Sequence, residues 1–172
     1  MKKIFRNLII AFITLFGGIS SVFAAGSANI TLSASDTVVN GSNITINVNI
    51  SNISGASDGM CYGAGGYINY DPEYLTYVSY SNTNGWSGSA VDKGNGKYKF
   101  ITYDMGVTGV SSGTLAKFTF KAIKAGTTTV TMTEPDLSDK RSTELVATVT
   151  NKTITITEPL DSNSKLSDLK VD

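Results

Sequence analysis

From Ile44 to Ile50 the chain alternates without a break: Ile44, Ile46, Val48 and Ile50 are separated by Thr45, Asn47 and Asn49. A period of two belongs to an extended strand with one face in a core and the other toward water. Further strand-like runs follow at Cys61 to Tyr70, Leu75 to Tyr80, Lys97 to Tyr103, Leu115 to Ile123 and Thr127 to Thr133, with a last pair near Leu145–Val149 and Thr153–Thr157. No stretch after residue 24 keeps a helical period for three turns. Turn formers punctuate the runs: Asn40-Gly41-Ser42, Asp71-Pro72-Glu73, Asp92-Lys93-Gly94-Asn95-Gly96 and Lys124-Ala125-Gly126. Asn52 to Gly59, Asn82 to Gly88 (carrying Trp86), Asp104 to Gly113 and the charged stretch Glu134 to Arg141 read as loops. Eight or nine short strands with no crossover helices predict an all-β chain, an antiparallel two-sheet sandwich.

Composition agrees and narrows the chemistry. The 172 residues include 21 Thr, 20 Ser, 17 Gly and 3 Pro, a strand-and-turn usage. There is no His, so nucleophilic systems with an imidazole base and His-ligated zinc are both excluded. The single Cys, Cys61, makes neither an internal disulfide nor an all-Cys zinc site. No phosphate-binding Gly loop ending in Lys-Ser or Lys-Thr appears. The chain is expected not to be an enzyme.

Residues 1–24, MKKIFRNLIIAFITLFGGISSVFA, combine a basic start (Lys2, Lys3, Arg6), an apolar stretch from Leu8 to Phe16, and small residues at Val22 and Ala24. This is the pattern of a secretory signal-peptide helix cleaved after Ala24, with a bacterial look to its Lys-Lys start. Its removal leaves 11 basic and 14 acidic residues, so nucleic acid is not an expected partner. No second long apolar stretch predicts a membrane span in the mature chain, which is expected to be secreted or held at the cell surface. The division expected is 1–24 signal peptide, 28–158 sandwich, and 159–172 linker or start of a further module.

Three stretches in order resemble the cohesin-like domains of bacterial cellulosome scaffolds. They are Ile44–Ile50; Gly65-Gly66-Tyr67-Ile68-Asn69-Tyr70-Asp71-Pro72-Glu73-Tyr74-Leu75; and Gly113-Thr114-Leu115-Ala116-Lys117-Phe118-Thr119-Phe120-Lys121. The resemblance implies a nine-stranded jelly-roll sandwich, related to carbohydrate-binding modules, and a non-catalytic role in docking a dockerin-type protein on one flat sheet face. Where dockerin-binding members typically carry Asn and Asp before Tyr-Asp-Pro, this chain has Gly63 and Gly65. The tail from Leu160 to Val171 resembles the opening strand of a bacterial cadherin-like β-sandwich repeat.

Strand parity puts Tyr62, Ala64, Gly66, Ile68 and Tyr70 inward, and Cys61, Gly63, Gly65, Tyr67 and Asn69 outward. The candidate partner-binding face is therefore Gly63, Gly65, Tyr67 and Asn69. Two glycines leave it flat and bare, open to close approach by another module. The alternative is carbohydrate binding, with Tyr67 and a loop-borne, exposed Trp86 stacking on sugar rings in a protein linked to polysaccharide degradation. A ligand-free spacer in a surface stalk is the third reading. Asp58, Asp71, Asp92, Asp104, Asp136 and Asp139 are candidate calcium ligands, but no EF-hand spacing is present and no cofactor is expected. Asp136, Asp139 and Glu144 read as solvated loop charge rather than a catalytic pair. Phe118 and Phe120, flanked by Ala116 and Ala122, are expected inward, against Ile44, Ile46 and Val48 of an opposite sheet, with Lys117 and Lys121 outward.

Overall fold

The computed structural model describes residues 26–105 and 107–160, and every regular element in them is a strand. In chain order these are β1 (Gly26–Ser33), β2 (Thr37–Val39), β3 (Asn43–Ser54), β4 (Gly63–Asn69), β5 (Leu75–Asn82), β6 (Ser87–Asp92), β7 (Lys97–Tyr103), β8 (Gly113–Ala122), β9 (Gly126–Ser138), β10 (Leu145–Thr150) and β11 (Lys152–Thr157). They form a five-stranded sheet, β10-β1-β3-β8-β5, packed on a six-stranded sheet, β2-β11-β9-β4-β7-β6. The all-β two-sheet sandwich is thus the one expected from sequence. The signal-like segment and the cadherin-like tail beyond Leu160 lie outside the described residues.

Two of the pairings depart from a wholly antiparallel arrangement: β1 runs parallel to β10, and β2 parallel to β11. The reason is that both ends of the domain change sheets together. β1 and β2 are separated by three residues and lie in different sheets; β10 and β11 are separated by Asn151 alone. At that switch the Asn151 side-chain oxygen accepts a hydrogen bond from the Met132 backbone N–H, replacing a ladder bond. Parallel neighbours need a long connection. Here the connection is the rest of the domain, so no crossover helix is required.

The count of eleven exceeds nine through two short edge strands. β2 has three residues, and β6 lies in sequence where a turn-rich excursion ends. The turn that carries the chain from β5 in one sheet to β6 in the other sits at Asn84 (φ 58°) and Gly85 (φ 73°), with the Trp86 N–H bonded to the Thr83 carbonyl. Positive φ at both central residues suits Asn and Gly, which tolerate it. The β6–β7 turn sits at Gly94, Asn95 and Gly96, as its composition predicts. Asp71 closes its own turn by accepting the Glu73 N–H at 2.9 Å.

One segment read as loop is strand. β9 continues past Thr133 to Ser138, across a bulge at Glu134 and Pro135, where Gly65 pairs with Asp136 but Tyr67 pairs with Thr133. The bulge accommodates Pro135, which has no N–H for the ladder. Gly66 opposite it has φ 145°, and a Cβ there would lie 2.9 Å from Met132 Cε.

The core lies between the sheets. Phe118, Phe120, Ala116 and Ala122 are buried and Lys117 and Lys121 exposed, as the alternation requires. The neighbours differ from expectation. Ile44, Ile46 and Val48 are not across the sandwich; they pair laterally with Phe120, Phe118 and Ala116 in the same sheet. The ring that faces Phe118 from the other sheet is Phe100 of β7.

Candidate functional site: the outer face of the six-stranded sheet

β4 runs between β7 and β9, so its outward residues sit at the middle of the six-stranded sheet. Register places Gly63 between Tyr103 and Ser138, Gly65 between Ile101 and Asp136, Tyr67 between Lys99 and Thr133, and Asn69 between Lys97 and Thr131. The four candidate residues therefore line one face, with Lys97, Lys99, Ile101 and Tyr103 along one side and the outward residues of β9 along the other.

The face has two ends of different character. At one, Lys97 Nζ stands 3.9 Å from the centre of the Tyr67 ring and Lys99 Nζ 5.8 Å from it. A cation over an aromatic face is held by the ring quadrupole. Lys97 also reaches Glu134 at 4.0 Å, and the Asn69 amide donates to Thr133 Oγ1 at 3.1 Å. At the other end the strand is bare. Ile101 is 51% exposed and Tyr103 39%, and between them and β9 lie only Gly63 and Gly65. Both positions are tight: a Cβ on Gly63 would meet Ser138 Oγ at 2.6 Å, and one on Gly65 would sit 3.0 Å from the Phe100 carbonyl oxygen. The missing side chains leave a groove of about 310 Å³ beside Gly65 that continues over Gly63.

Sequence reasoning singled out the β4 residues of this face but not its walls. Ile101 and Tyr103 share the outward parity of Lys97 and Lys99, opposite the buried Phe100 and Thr102, and that alternation was the available signal. Asp136 and Ser138 were hidden because Glu134-Pro135 reads as the end of a strand.

The remaining candidates are dispersed. Trp86 is not an exposed platform: it is 5% exposed, and its indole N–H donates to the Thr108 carbonyl at 3.1 Å. The turn before β6 folds its ring into the core, away from Tyr67, so the two do not form one sugar-stacking surface. Tyr70, Tyr77, Tyr80 and Tyr98 close a side seam rather than form an exposed row. Tyr77 stacks on Tyr98 at 4.0 Å, Tyr70 lies 4.8 Å from Phe120, and Tyr80 donates to the Ile101 carbonyl at 3.2 Å.

Cys61, outward by parity, is buried. It precedes β4 in an isolated bridge to Val110, its Sγ 3.1 Å from the Gly63 carbonyl. Burial pushes its thiol up to about 11.

All the candidate calcium acids but Asp136 hold local structure. Asp58 accepts the Tyr62 hydroxyl at 2.8 Å, and Asp104 accepts the Val107 N–H at 2.8 Å. Asp139 is 4% exposed and accepts the backbone N–H groups of Ser57, Arg141 and Thr143 at 3.1, 2.8 and 2.8 Å. Burial pushes its carboxyl up, but those donors outweigh it and bring the pKa down to about 2. Among the described residues no three His, Cys, Asp or Glu side chains are grouped to hold a metal ion.

Comparison with known proteins gives the same architecture. No curated protein sequence matches the chain. A cohesin module from a Clostridium perfringens family 33 glycoside hydrolase superposes with a TM-score of 0.70 at 15% identity, over 78% of this chain and 98% of that one. The sixth cohesin of Acetivibrio cellulolyticus scaffoldin B, solved in complex with a dockerin, gives 0.64 at 22% identity, over 76% and 99%. A non-cellulosomal cohesin from Archaeoglobus fulgidus gives 0.63 at 17%, over 84% and 99%. At such identities the likeness is one of fold. The family itself is set by the sequence: residues 28–156, most of the chain, match the cohesin domain family, and the chain belongs to it.

Proposed function

We propose that this cohesin domain is a non-catalytic module that docks a dockerin-type protein on the outer face of its six-stranded sheet. Cohesin domains are recognition modules, and some solved structures of the same fold are complexes with dockerins. The observation that carries the reading is the face around Gly63, Gly65, Tyr67 and Asn69. It is grooved over Gly63 and Gly65, exposes Ile101 and Tyr103, and is flanked by charge, which is the anatomy of a protein interface. The signal-like segment at residues 1–24 supports an extracellular or cell-surface setting, and the family supports a link to polysaccharide-degrading assemblies. No described helix is long and apolar enough to cross a membrane. Sugar stacking on these two rings is disfavoured, because Trp86 is buried and Lys97 stands over Tyr67.

The test is titration calorimetry of the full chain against a panel of purified dockerin modules, repeated with Ile101→Arg and with Lys121→Ala on the opposite sheet. Binding that Ile101→Arg abolishes and Lys121→Ala leaves intact is expected. A folded chain that binds no dockerin, or binds one regardless of Ile101→Arg, sinks the proposal.

A further inference from the structure

The groove over Gly63 and Gly65 has walls of opposite chemistry. On the β7 side stand Ile101 and Tyr103, both substantially exposed. On the β9 side stand Asp136 and Ser138. The three acids around this stretch of β9 differ in what they do. Glu134 is paired with Lys97, and Asp139 is buried among backbone N–H donors. Asp136 is exposed and makes no ion pair or side-chain hydrogen bond among the described residues; Lys99, which also lines the groove, has its ammonium 5.8 Å from the centre of the Tyr67 ring.

We infer that this groove receives one Lys or Arg side chain from the partner, its methylene stem lying on Ile101 and Tyr103 and its cationic head on Asp136. The inference rests on the reading of this face as a docking surface, and names the partner chemistry it selects. The alternatives fail on elementary grounds. A purely aliphatic side chain would cover Ile101 but strip water from Asp136 without replacing it, which is costly. An acidic one would meet Asp136 with like charge. A short neutral one would leave the apolar wall wet. Only a long side chain with an apolar stem and a charged tip satisfies both walls. The absent side chains of Gly63 and Gly65 supply the narrow depth that such a stem needs.

The experiment is selection of a displayed helical-hairpin library, randomised at exposed positions, against the full chain. Affinities of the enriched binders are then measured for wild type, Asp136→Asn, Ile101→Ser, Ile101→Arg and Lys121→Ala. A Lys or Arg fixed at one position of the binders is expected. Asp136→Asn should weaken them by about tenfold or more, as for loss of a desolvated charge pair. Changing that Lys or Arg to Met in the binder should cost a similar factor and remove the sensitivity to Asp136→Asn, the coupling that identifies a direct pair. Binders blocked by Ile101→Arg yet lacking a basic anchor and indifferent to Asp136→Asn overturn the inference and leave the docking face standing. Binders indifferent to Ile101→Arg overturn both.

Discussion

Phe118 of β8 and Phe100 of β7 meet edge to face across the sandwich, ring centres 5.4 Å apart and planes at 80°. Both are fully buried, and each belongs to a different sheet, so this contact joins the layers directly. Edge-to-face geometry aligns the positive ring edge with the negative face of its neighbour. Tyr80 closes the same cluster, 5.1 Å from Phe118 and 6.3 Å from Phe100.

Phe118→Ala removes this contact and opens a cavity where the sheets meet. It should cost about 3–5 kcal/mol, enough to unfold much of a small domain. Lys117→Ala and Lys121→Ala, on the opposite parity of the same strand, should each change stability by less than about 0.5 kcal/mol. Denaturant titration of the three variants checks the register of β8; a lysine variant weaker than Phe118→Ala would contradict it.

Asp139 ties the loop before β4 to the connection between β9 and β10 through its three backbone donors. Its folded pKa, about 2, lies below the ordinary 3.8, so its stabilisation is complete above 3.8 and disappears as pH falls toward 2. Asp139→Asn should cost about 1–3 kcal/mol at neutral pH, the range for losing charge-assisted bonds to buried donors. The gap between wild type and variant should narrow as pH is lowered through that window. A gap independent of pH from 7 to 2 would show that the carboxylate charge plays no part.

Trp86 is the chain's one tryptophan, so fluorescence reads it without interference. Buried as it is, its emission should be blue-shifted in the folded protein, resistant to iodide, and unchanged on mixing with cellulose. Trp86→Ala should cost about 3–5 kcal/mol, as for deletion of a core aromatic. Emission at the wavelength of free indole in the native state would contradict this placement.

Cys61 should react with a thiol reagent at pH 8 only as fast as the domain opens, because burial both shields the sulfur and keeps it protonated. Labelling rates measured across denaturant should follow unfolding. Stoichiometric labelling within seconds in native buffer would place Cys61 on the surface.

What was legible in the sequence was local. The alternation of Ile44, Ile46, Val48 and Ile50, and of Ala116, Phe118, Phe120 and Ala122, is set by the pleat itself, which sends successive side chains to opposite faces. The turns at Asp71, Gly94 and Gly126, and the partly exposed Gly63, Tyr67 and Asn69 alternating with buried Ala64, Gly66 and Ile68, follow from the same short-range rules; Gly65 shares their parity but is buried. Parity states which face a residue takes but not which strand lies beside it. Neighbours are chosen by pairings between distant segments, as when Gly26 meets Leu145 and Ile46 meets Phe118. Only the tertiary structure could therefore make β3 and β8 neighbours in one sheet, run the two ends of the domain parallel, and carry β9 past Pro135 on a bulge. It also decided that Trp86 turns inward, since the turn that aims it crosses from one sheet to the other and is fixed by where β5 and β6 lie. The groove is the clearest case. Gly63 and Gly65 lack side chains in any sequence reading, but they floor a groove only because β7 and β9 flank them, with Ile101 on one side and Asp136 on the other.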